Sequence, residues 1–135
     1  MEEIKIRPIG RVKSNFKNTP PLRKSWGDVI SKIIIRPEFS QCLAGLEKYS
    51  HIIVLYWMHK VRRNKPVFSK GVLASRLPFR PNPIGLTIAE LLERKGNILI
   101  VSGLDAFDGS PVIDIKPYTG HPRDLVLDFK SPDKF

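Results

Sequence analysis

The apolar positions along this chain follow mostly the pattern of β-strands. Segments rich in β-branched residues predict six strands, at 4–14, 28–37, 51–58, 84–93, 97–104 and 111–118. RKGN at 94–97 is predicted to close a hairpin between the strands on either side of it. PEFSQCLAGLEKY at 37–49 has the apolar spacing and the proline start of a helix. The chain is therefore predicted to be mainly β, a small antiparallel β-barrel with one short helix.

The length of 135 residues suits one domain with its own core, and we expect a single domain over 1–135. The first residues lack the order of charges and apolar residues that marks a signal peptide, and no apolar run approaches the roughly 18 residues of a membrane span. We expect a soluble, cytoplasmic protein with no membrane partner. In the tail, 119–135, the apolar run 125–129 is predicted to be either an edge strand or a contact with another subunit.

Basic residues are concentrated in the first two thirds of the chain. The formal net charge is +10; residues 1–89 hold 17 Lys and Arg against 5 acids, whereas residues 90–135 hold 6 against 8. Between Glu47 and Glu90 there are eight basic residues and no acid, which favours a polyanionic partner over a merely solvated face. No segment pairs a long apolar helical stripe with a basic one, so nucleic acid is a better candidate than membrane lipid.

Several common catalytic motifs are absent from the sequence. It contains no GxG, no GxxxxGK and no GxSxG, so a Rossmann dinucleotide site, a P-loop and a hydrolase elbow are not expected. The three histidines and the single cysteine, Cys42, have no metal-ligand spacing, and no metal is predicted. Cys42 lies on the apolar face of the predicted helix, where we expect it to be buried in the core.

The segment RLPFRPNPIG, at 76–85, is both rigid and basic. Proline disfavours the helical region for the residue before it, so Arg80 and Asn82 are predicted to be extended. Pro81 and Pro83 have no N–H to donate, which keeps this stretch out of a central strand and leaves its carbonyls and the Asn82 amide available. An inert connector is the alternative, although such a connector rarely needs two arginines and an asparagine.

A second concentration of polar residues is LDAFDGSPVIDIKPY, at 104–118. Turn formation alone explains Asp108 and Gly109. Asp105 follows directly on a predicted strand, and residues at strand ends commonly line binding sites. Spacing leaves open whether Asp105 is functional or only part of the turn.

Together, ASRLPFRPNPIGL (74–86) and LDAFDGSPVIDIKPY resemble the signature of the TrmO family, also described as TsaA-like. IGRVKSNF (9–16) resembles the opening strand of that family, and LAGLEKYSHIIVLYWMHK (43–60) resembles its helix and the strand that ends in histidine. The resemblance extends to about Tyr118. It implies a β-barrel methyltransferase outside the Rossmann class, usually a homodimer with its cofactor site near the subunit interface.

Members of this family use S-adenosylmethionine to methylate N6 of threonylcarbamoyl-adenosine, the modified adenosine next to the anticodon of tRNA. The resemblance therefore implies S-adenosylmethionine as cofactor and tRNA as partner. Carried over by position, the implied cofactor contacts are Pro21, Leu22, His59, Lys60, Arg76, Leu86, Leu104, Asp105, Ala106, Phe107 and Asp108.

Asp105 and Asn82 are the candidate catalytic residues. Asp105 is predicted to accept the N6 proton. Alternatively, its carboxylate binds the ribose of the cofactor or offsets the positive charge of the sulfonium. Arg80 suits the threonyl carboxylate or a phosphate, and Asn82 suits the urea oxygen or the adenine edge. Basic residues assigned to tRNA phosphates are Arg62, Arg63, Lys65 and Lys70, with Lys13, Lys17, Arg23 and Lys24.

Two other functions remain open at this point. One is a non-catalytic basic β-barrel that binds RNA, and the other is a small-molecule methyltransferase with an incidental basic face. Cofactor binding separates the enzymes from the RNA-binding barrel, and tRNA affinity separates the two enzymes.

Overall fold

Six antiparallel strands form a closed barrel in the computed structural model, which describes residues 2–15, 29–60 and 70–132. Around the barrel the order is β1-β2-β5-β4-β3-β6, and the pairing of β6 with β1 closes it. The predicted antiparallel barrel is confirmed. The strands are β1 (Gly10–Lys13), β2 (Ile30–Ile35), β3 (His51–Trp57), β4 (Ile84–Lys95), β5 (Ile98–Ser102) and β6 (Pro111–Pro117).

Alternation along the strands divides the barrel into an apolar interior and an outer face. In β3, Ile52, Val54 and Tyr56 are buried, whereas the residues between them are half-buried. Each large apolar side chain that is fully buried contributes about 1.5–3 kcal/mol. The interior therefore holds the six strands together, and its fully buried members include Val12, Ile33, Ile35, Ile52, Val54, Leu99, Val101 and Val112.

The first strand is shorter than predicted. It begins at Gly10, whereas the strand was predicted from residue 4, and Ile4 and Ile6 are exposed. Pro8 has no N–H to donate to a neighbouring strand, which interrupts the run of β-branched residues. The other predicted strands are present, and their ends differ by up to two residues from the predicted ones.

The predicted helical segment at 37–49 is present, but it is not continuous and its type is 3₁₀. Two 3₁₀ helices, Pro37–Leu43 and Leu46–Lys48, form it, and Gly45 between them has φ +91°. A 3₁₀ helix has three residues per turn, so within Pro37–Leu43 the buried Leu43 shares a face with Ser40 and not with Cys42. Cys42 is then rotated outward and is exposed, which corrects its predicted place in the core.

The predicted hairpin at 94–97 is confirmed. β4 and β5 pair on either side of a two-residue turn, Gly96 and Asn97, with Gly96 at φ +61°. Asn97 Nδ2 donates a hydrogen bond to the carbonyl of Ile35 at 2.6 Å. The turn is thereby fastened to the end of β2.

Two further 3₁₀ helices of three residues each, Val72–Ala74 and Pro122–Asp124, lie outside the barrel. The run 125–129 forms no strand, so the edge-strand alternative for the tail is wrong, and four of its side chains are exposed: Leu125, Val126, Leu127 and Phe129. Across the described parts of the chain, no helix has the length and apolar character needed to cross a membrane.

Barrel closure requires a residue without a side chain at Gly10. A Cβ there would lie 2.4 Å from the carbonyl oxygen of Ile34 and 3.0 Å from Cα of Ile35, both backbone atoms of β2. We expect Gly10→Ala to lower the free energy of unfolding by about 1–3 kcal/mol, because β1 must shift away from β2. Urea denaturation followed by circular dichroism measures this change.

Arg11→Ala is the matched control, since Arg11 is exposed on the same strand. Its effect should stay within about 0.5 kcal/mol. Equal denaturation midpoints for Gly10→Ala and the unmodified protein would contradict the close approach of β1 and β2.

Candidate functional site

A cavity of about 380 Å³ opens at one end of the barrel. This volume lies in the usual range for small-molecule sites, about 300–1,000 Å³. Three parts of the chain build it: the end of β3, the segment before β4 and the loop between β5 and β6. Its lining residues are Tyr56, Met58, Lys60, Pro78, Phe79, Asp105, Phe107 and Ser110.

Strand pairing brings these three parts together. β3 lies between β4 and β6 and is antiparallel to both, so its last residues stand beside the first residues of its two neighbours. Trp57 is paired with Ile84, and Tyr56 with both Gly85 and Val112. The segments that lead into β4 and β6 therefore flank the end of β3.

Asp105 is held by hydroxyl groups from two strands. Tyr56 Oη donates to Asp105 Oδ1 at 2.7 Å, and Thr87 Oγ1 donates to the same oxygen. Tyr56 is buried, and its pKa is raised well above the ordinary 10.0, first by burial and then by the hydrogen bond to Asp105. The phenol therefore stays protonated and remains a donor to Asp105 at neutral pH.

The turn after Asp105 is anchored to β1. Gly109 N donates to the carbonyl of Val12 at 2.7 Å, and Asp108 Oδ1 accepts from Ser14 N at 2.9 Å. Ser110 Oγ donates to the carbonyl of Phe107 at 2.7 Å, which closes the turn on itself. These contacts fix the backbone that carries Phe107 into the cavity wall, and the turn predicted at Asp108 and Gly109 is confirmed.

His59 lies against the same turn. Its Nδ1 is 3.4 Å from Ser110 Oγ, and a Cβ on Gly109 would lie 3.4 Å from its Nε2. Partial burial and the nearby Lys60 lower the pKa of His59, with Asp108 acting in the opposite direction. The imidazole is therefore mainly neutral at pH 7 and adds little positive charge beside the cavity.

Comparison with known families identifies the chain. Residues 11–122 match the family model of the tRNA-methyltransferase O N-terminal domain. The chain belongs to the TrmO family. The resemblance seen in the two motifs is thus confirmed, and those motifs supply five of the eight residues that line the cavity.

Individual TrmO relatives agree with this assignment. A probable S-adenosyl-L-methionine-binding protein of Methanothermobacter thermautotrophicus is 50% identical over 125 residues, covering 86% of this chain and 90% of that protein. A mouse tRNA (adenine(37)-N6)-methyltransferase is 39% identical over 110 residues, covering 74% of this chain and 23% of that enzyme. The crystal structure of TrmO from Pseudomonas aeruginosa superposes with a TM-score of 0.82 at 31% identity, covering 99% of this chain and 64% of that one.

Some of the predicted TrmO cofactor contacts gather at the cavity. Lys60, Asp105 and Phe107 line it, and His59 and Asp108 lie beside it through the turn at 107–110. Five of the predicted contacts are therefore brought together at one end of the barrel.

Other predicted cofactor contacts are placed differently. The side chains of Leu104 and Ala106 are buried in the core, so they support the loop from below and are not accessible to a ligand. Leu86 is 50% exposed on the outer face of β4, on the opposite side of the strand from Thr87. Arg76 is exposed, whereas Pro21 and Leu22 lie outside the described residues.

The predicted substrate contacts are also spread out. Arg80 Nη1 donates to the carbonyls of Ser75 at 2.8 Å and Leu77 at 2.9 Å, which ties the guanidinium to its own loop. Asn82 is exposed, and the chain bends at 80–82 instead of running straight. Lys70 is exposed, and Arg62, Arg63 and Lys65 lie outside the described residues.

Sequence reasoning missed the hydroxyl groups on Asp105 and the second aromatic wall. Tyr56, Thr87 and Phe79 were not candidates. A signal for Tyr56 is present in the alternation of β3, where Tyr56 has the same parity as buried Ile52 and Val54. A buried tyrosine hydroxyl needs a partner, so that parity alone indicates a polar group inside the barrel.

No cluster of three or more His, Cys, Asp or Glu side chains suited to a metal ion occurs among residues 2–15, 29–60 and 70–132. The polar groups at the cavity are instead a carboxylate, an ammonium group and hydroxyls.

The raised pKa of Tyr56 predicts a loss of stability at alkaline pH. The unfolded phenol ionises near 10.0, whereas the folded phenol keeps its proton, so the folded state binds more protons above pH 10. The free energy of unfolding should then fall as the pH rises above 10, with a slope of up to about 1.4 kcal/mol per pH unit from this group. Urea denaturation between pH 8.5 and 11.5 measures the slope.

Tyr56→Phe should reduce the loss of unfolding free energy above pH 10. Tyr49→Phe should leave that loss unchanged, because Tyr49 is exposed and lies just before the start of β3. The same alkaline slope in the protein and in Tyr56→Phe would contradict the assignment to Tyr56.

Proposed function

We propose that this protein is an S-adenosylmethionine-dependent tRNA methyltransferase of the cytoplasm. Its proposed substrate is threonylcarbamoyl-adenosine next to the anticodon, methylated at N6. The observation that carries the proposal is the cavity itself, to which the two TrmO motifs supply most of the lining residues and which combines the rings of Phe79 and Phe107 with the carboxylate of Asp105. The chain spans 64% of the P. aeruginosa TrmO structure and 23% of the mouse enzyme. Because it matches only part of each protein, its activity is proposed from the cavity and not taken from them.

The residues at the cavity fit this cofactor. Phe79 and Phe107 offer ring faces that suit both an adenine ring and a sulfonium cation. Asp105 offers a carboxylate for hydroxyl or ammonium groups, and Lys60 offers a donor. When bound, S-adenosylmethionine would supply an electrophilic methyl group.

The protein contributes mainly the position of the reacting groups. Methyl transfer is an in-line displacement, and holding the reacting atoms in line lowers the barrier without any further chemistry. The anchored turn at 107–110 and the loop tied by Arg80 make two walls of the cavity rigid. Such walls restrict the orientations of a bound ligand.

Substrate contacts are proposed at the mouth of the cavity. Asn82 is exposed next to Pro83, and its amide suits the urea oxygen or the adenine edge. Arg80 uses Nη1 for its two backbone contacts, so within the described part of the chain Nε and Nη2 have no partner and can bind a carboxylate or phosphate. Lys70 is exposed, and its ammonium group suits a tRNA phosphate.

Incubation with S-adenosylmethionine and tRNA tests the proposed reaction. We expect mass analysis of the digested nucleosides to show a gain of one methyl group on threonylcarbamoyl-adenosine in tRNA that carries this modification. Unmodified tRNA from cells that lack the threonylcarbamoyl group is the matched control and should gain nothing.

Calorimetry with the cofactor and with tRNA separates the alternatives. One cofactor site per chain together with tRNA affinity supports the proposal. tRNA affinity without cofactor binding would instead identify an RNA-binding barrel, and cofactor binding without tRNA affinity would identify a small-molecule methyltransferase.

We also propose that the active form is a homodimer, which buries the outer face of β3 and β4. On β4, Ile84, Leu86 and Ile88 are 38%, 50% and 48% exposed. They are paired across the strands with apolar residues of β3, namely Trp57, Leu55 and Ile53. A continuous apolar patch of this kind is typical of an interface between subunits. The exposed tail run 125–129 is proposed as a further subunit contact.

In the proposed homodimer, Leu86 would lie at the subunit interface, because its side chain points away from the interior of its own barrel. This position suits its predicted cofactor contact if the cofactor site is near that interface. We expect Leu86→Glu to convert the protein to a monomer, because two buried carboxylates would have to lose water at the interface. Sedimentation velocity measures the change.

Ile30→Glu is the matched control for Leu86→Glu. Ile30 is 52% exposed on β2, which lies away from β3 and β4 in the barrel order. The control should sediment like the unmodified protein. An unchanged sedimentation coefficient for Leu86→Glu would exclude this face as the interface.

A further inference from the structure

The carboxylate of Asp105 is fixed at one oxygen. Oδ1 accepts from Tyr56 Oη and Thr87 Oγ1, which occupies both of its lone pairs. Oδ2 has no hydrogen-bond donor among the residues that the structure describes. One oxygen is thus bound to β3 and β4, and the other is left for a ligand in the cavity.

The position of Tyr56 depends on the glycine of RPNPIG. Tyr56 is paired across the strands with Gly85. A Cβ on Gly85 would lie 2.4 Å from Cζ, 2.5 Å from Cε2 and 2.8 Å from Oη of the tyrosine ring. Such distances are impossible without displacement of the ring, so any other residue at position 85 would move the hydroxyl away from Asp105.

The three contacts form one chain from the motif to the cavity. Gly85 leaves space for the Tyr56 ring, and Tyr56 and Thr87 hold Oδ1 of Asp105. Thr87 lies two residues after Gly85 on β4 and therefore points to the same side of the strand. The start of β4 thus contributes twice to the position of Asp105: Gly85 leaves space for the Tyr56 ring, and Thr87 donates the second hydrogen bond.

We propose that Tyr56 is a positioning residue, which together with Thr87 and Gly85 orients Asp105 to accept a hydrogen bond from the bound cofactor rather than to remove the N6 proton. This inference rests on the proposed function, because it concerns the same cavity. An acceptor for a hydroxyl or ammonium group must have a fixed direction, and two hydroxyl donors on one oxygen give the carboxylate that direction. Both donors are neutral and add no positive charge next to the carboxylate.

The test measures cofactor affinity and turnover separately in Tyr56→Phe and Thr87→Val, two variants that keep the shape of the side chain and remove the donor. We expect the dissociation constant for S-adenosylmethionine to rise about tenfold in each, as for loss of a hydrogen bond to a charged group. Turnover at saturating cofactor should stay within about twofold of the unmodified enzyme. Gly85→Ala should weaken cofactor binding in the same direction.

Tyr49→Phe serves as the matched control and should leave the dissociation constant unchanged, and melting temperatures check that each variant is folded. Unchanged affinity in both Tyr56→Phe and Thr87→Val would overturn the inference. So would a loss of turnover at saturating cofactor with unchanged affinity, since that result would make Asp105 the base. If the unmodified protein binds no S-adenosylmethionine, the proposed function itself fails, which is a different outcome from either of these.

Discussion

The functional site depends on the pairing of β6 with two strands at once. β6 pairs with β1 to close the barrel and with β3 on its other side, and its first residues lie beside Gly10 and Tyr56. The backbone contacts of Val12 with Gly109 and Ser110 extend this pairing into the turn before β6. Closure of the barrel therefore brings the loop with Asp105 to the end of β3. An open sheet with the same strands would leave that loop unsupported.

The strand content of the fold could be predicted because β-branched runs between turn residues leave few alternatives. The antiparallel barrel followed from many short strands and little helix. The type of helix could not be predicted. Phe39, Cys42, Leu43 and Leu46 have helical spacing, but this spacing does not distinguish one continuous helix from two short 3₁₀ helices separated at Gly45. Packing against the barrel decided between these two, and it left Cys42 in solvent.

The candidate site was predicted in its sequence motifs but not in its internal contacts. Asp105 could be chosen because it follows a strand, and Phe107 and Lys60 came from the resemblance to the TrmO family. The hydroxyls on Asp105 depend on the register of β3 against β4, which places Tyr56 opposite Gly85. Register is set by the whole barrel, so no local pattern reveals it. The resemblance also assigned Leu86 to the cofactor, although alternation along β4 turns that side chain outward.

Tyr56 connects the stability of the barrel to its proposed chemistry. A tyrosine hydroxyl inside an apolar barrel costs about 1–3 kcal/mol if it has no partner, so the fold requires an acceptor at this point. Asp105 meets that requirement, and the same hydrogen bond restricts the carboxylate to one orientation. The inward side chains of β3 are therefore apolar at Ile52 and Val54 and become polar at Tyr56, where the cavity begins. In RPNPIG the last residue therefore matters as well as the prolines, because Gly85 leaves the space that the Tyr56 ring needs to reach Asp105.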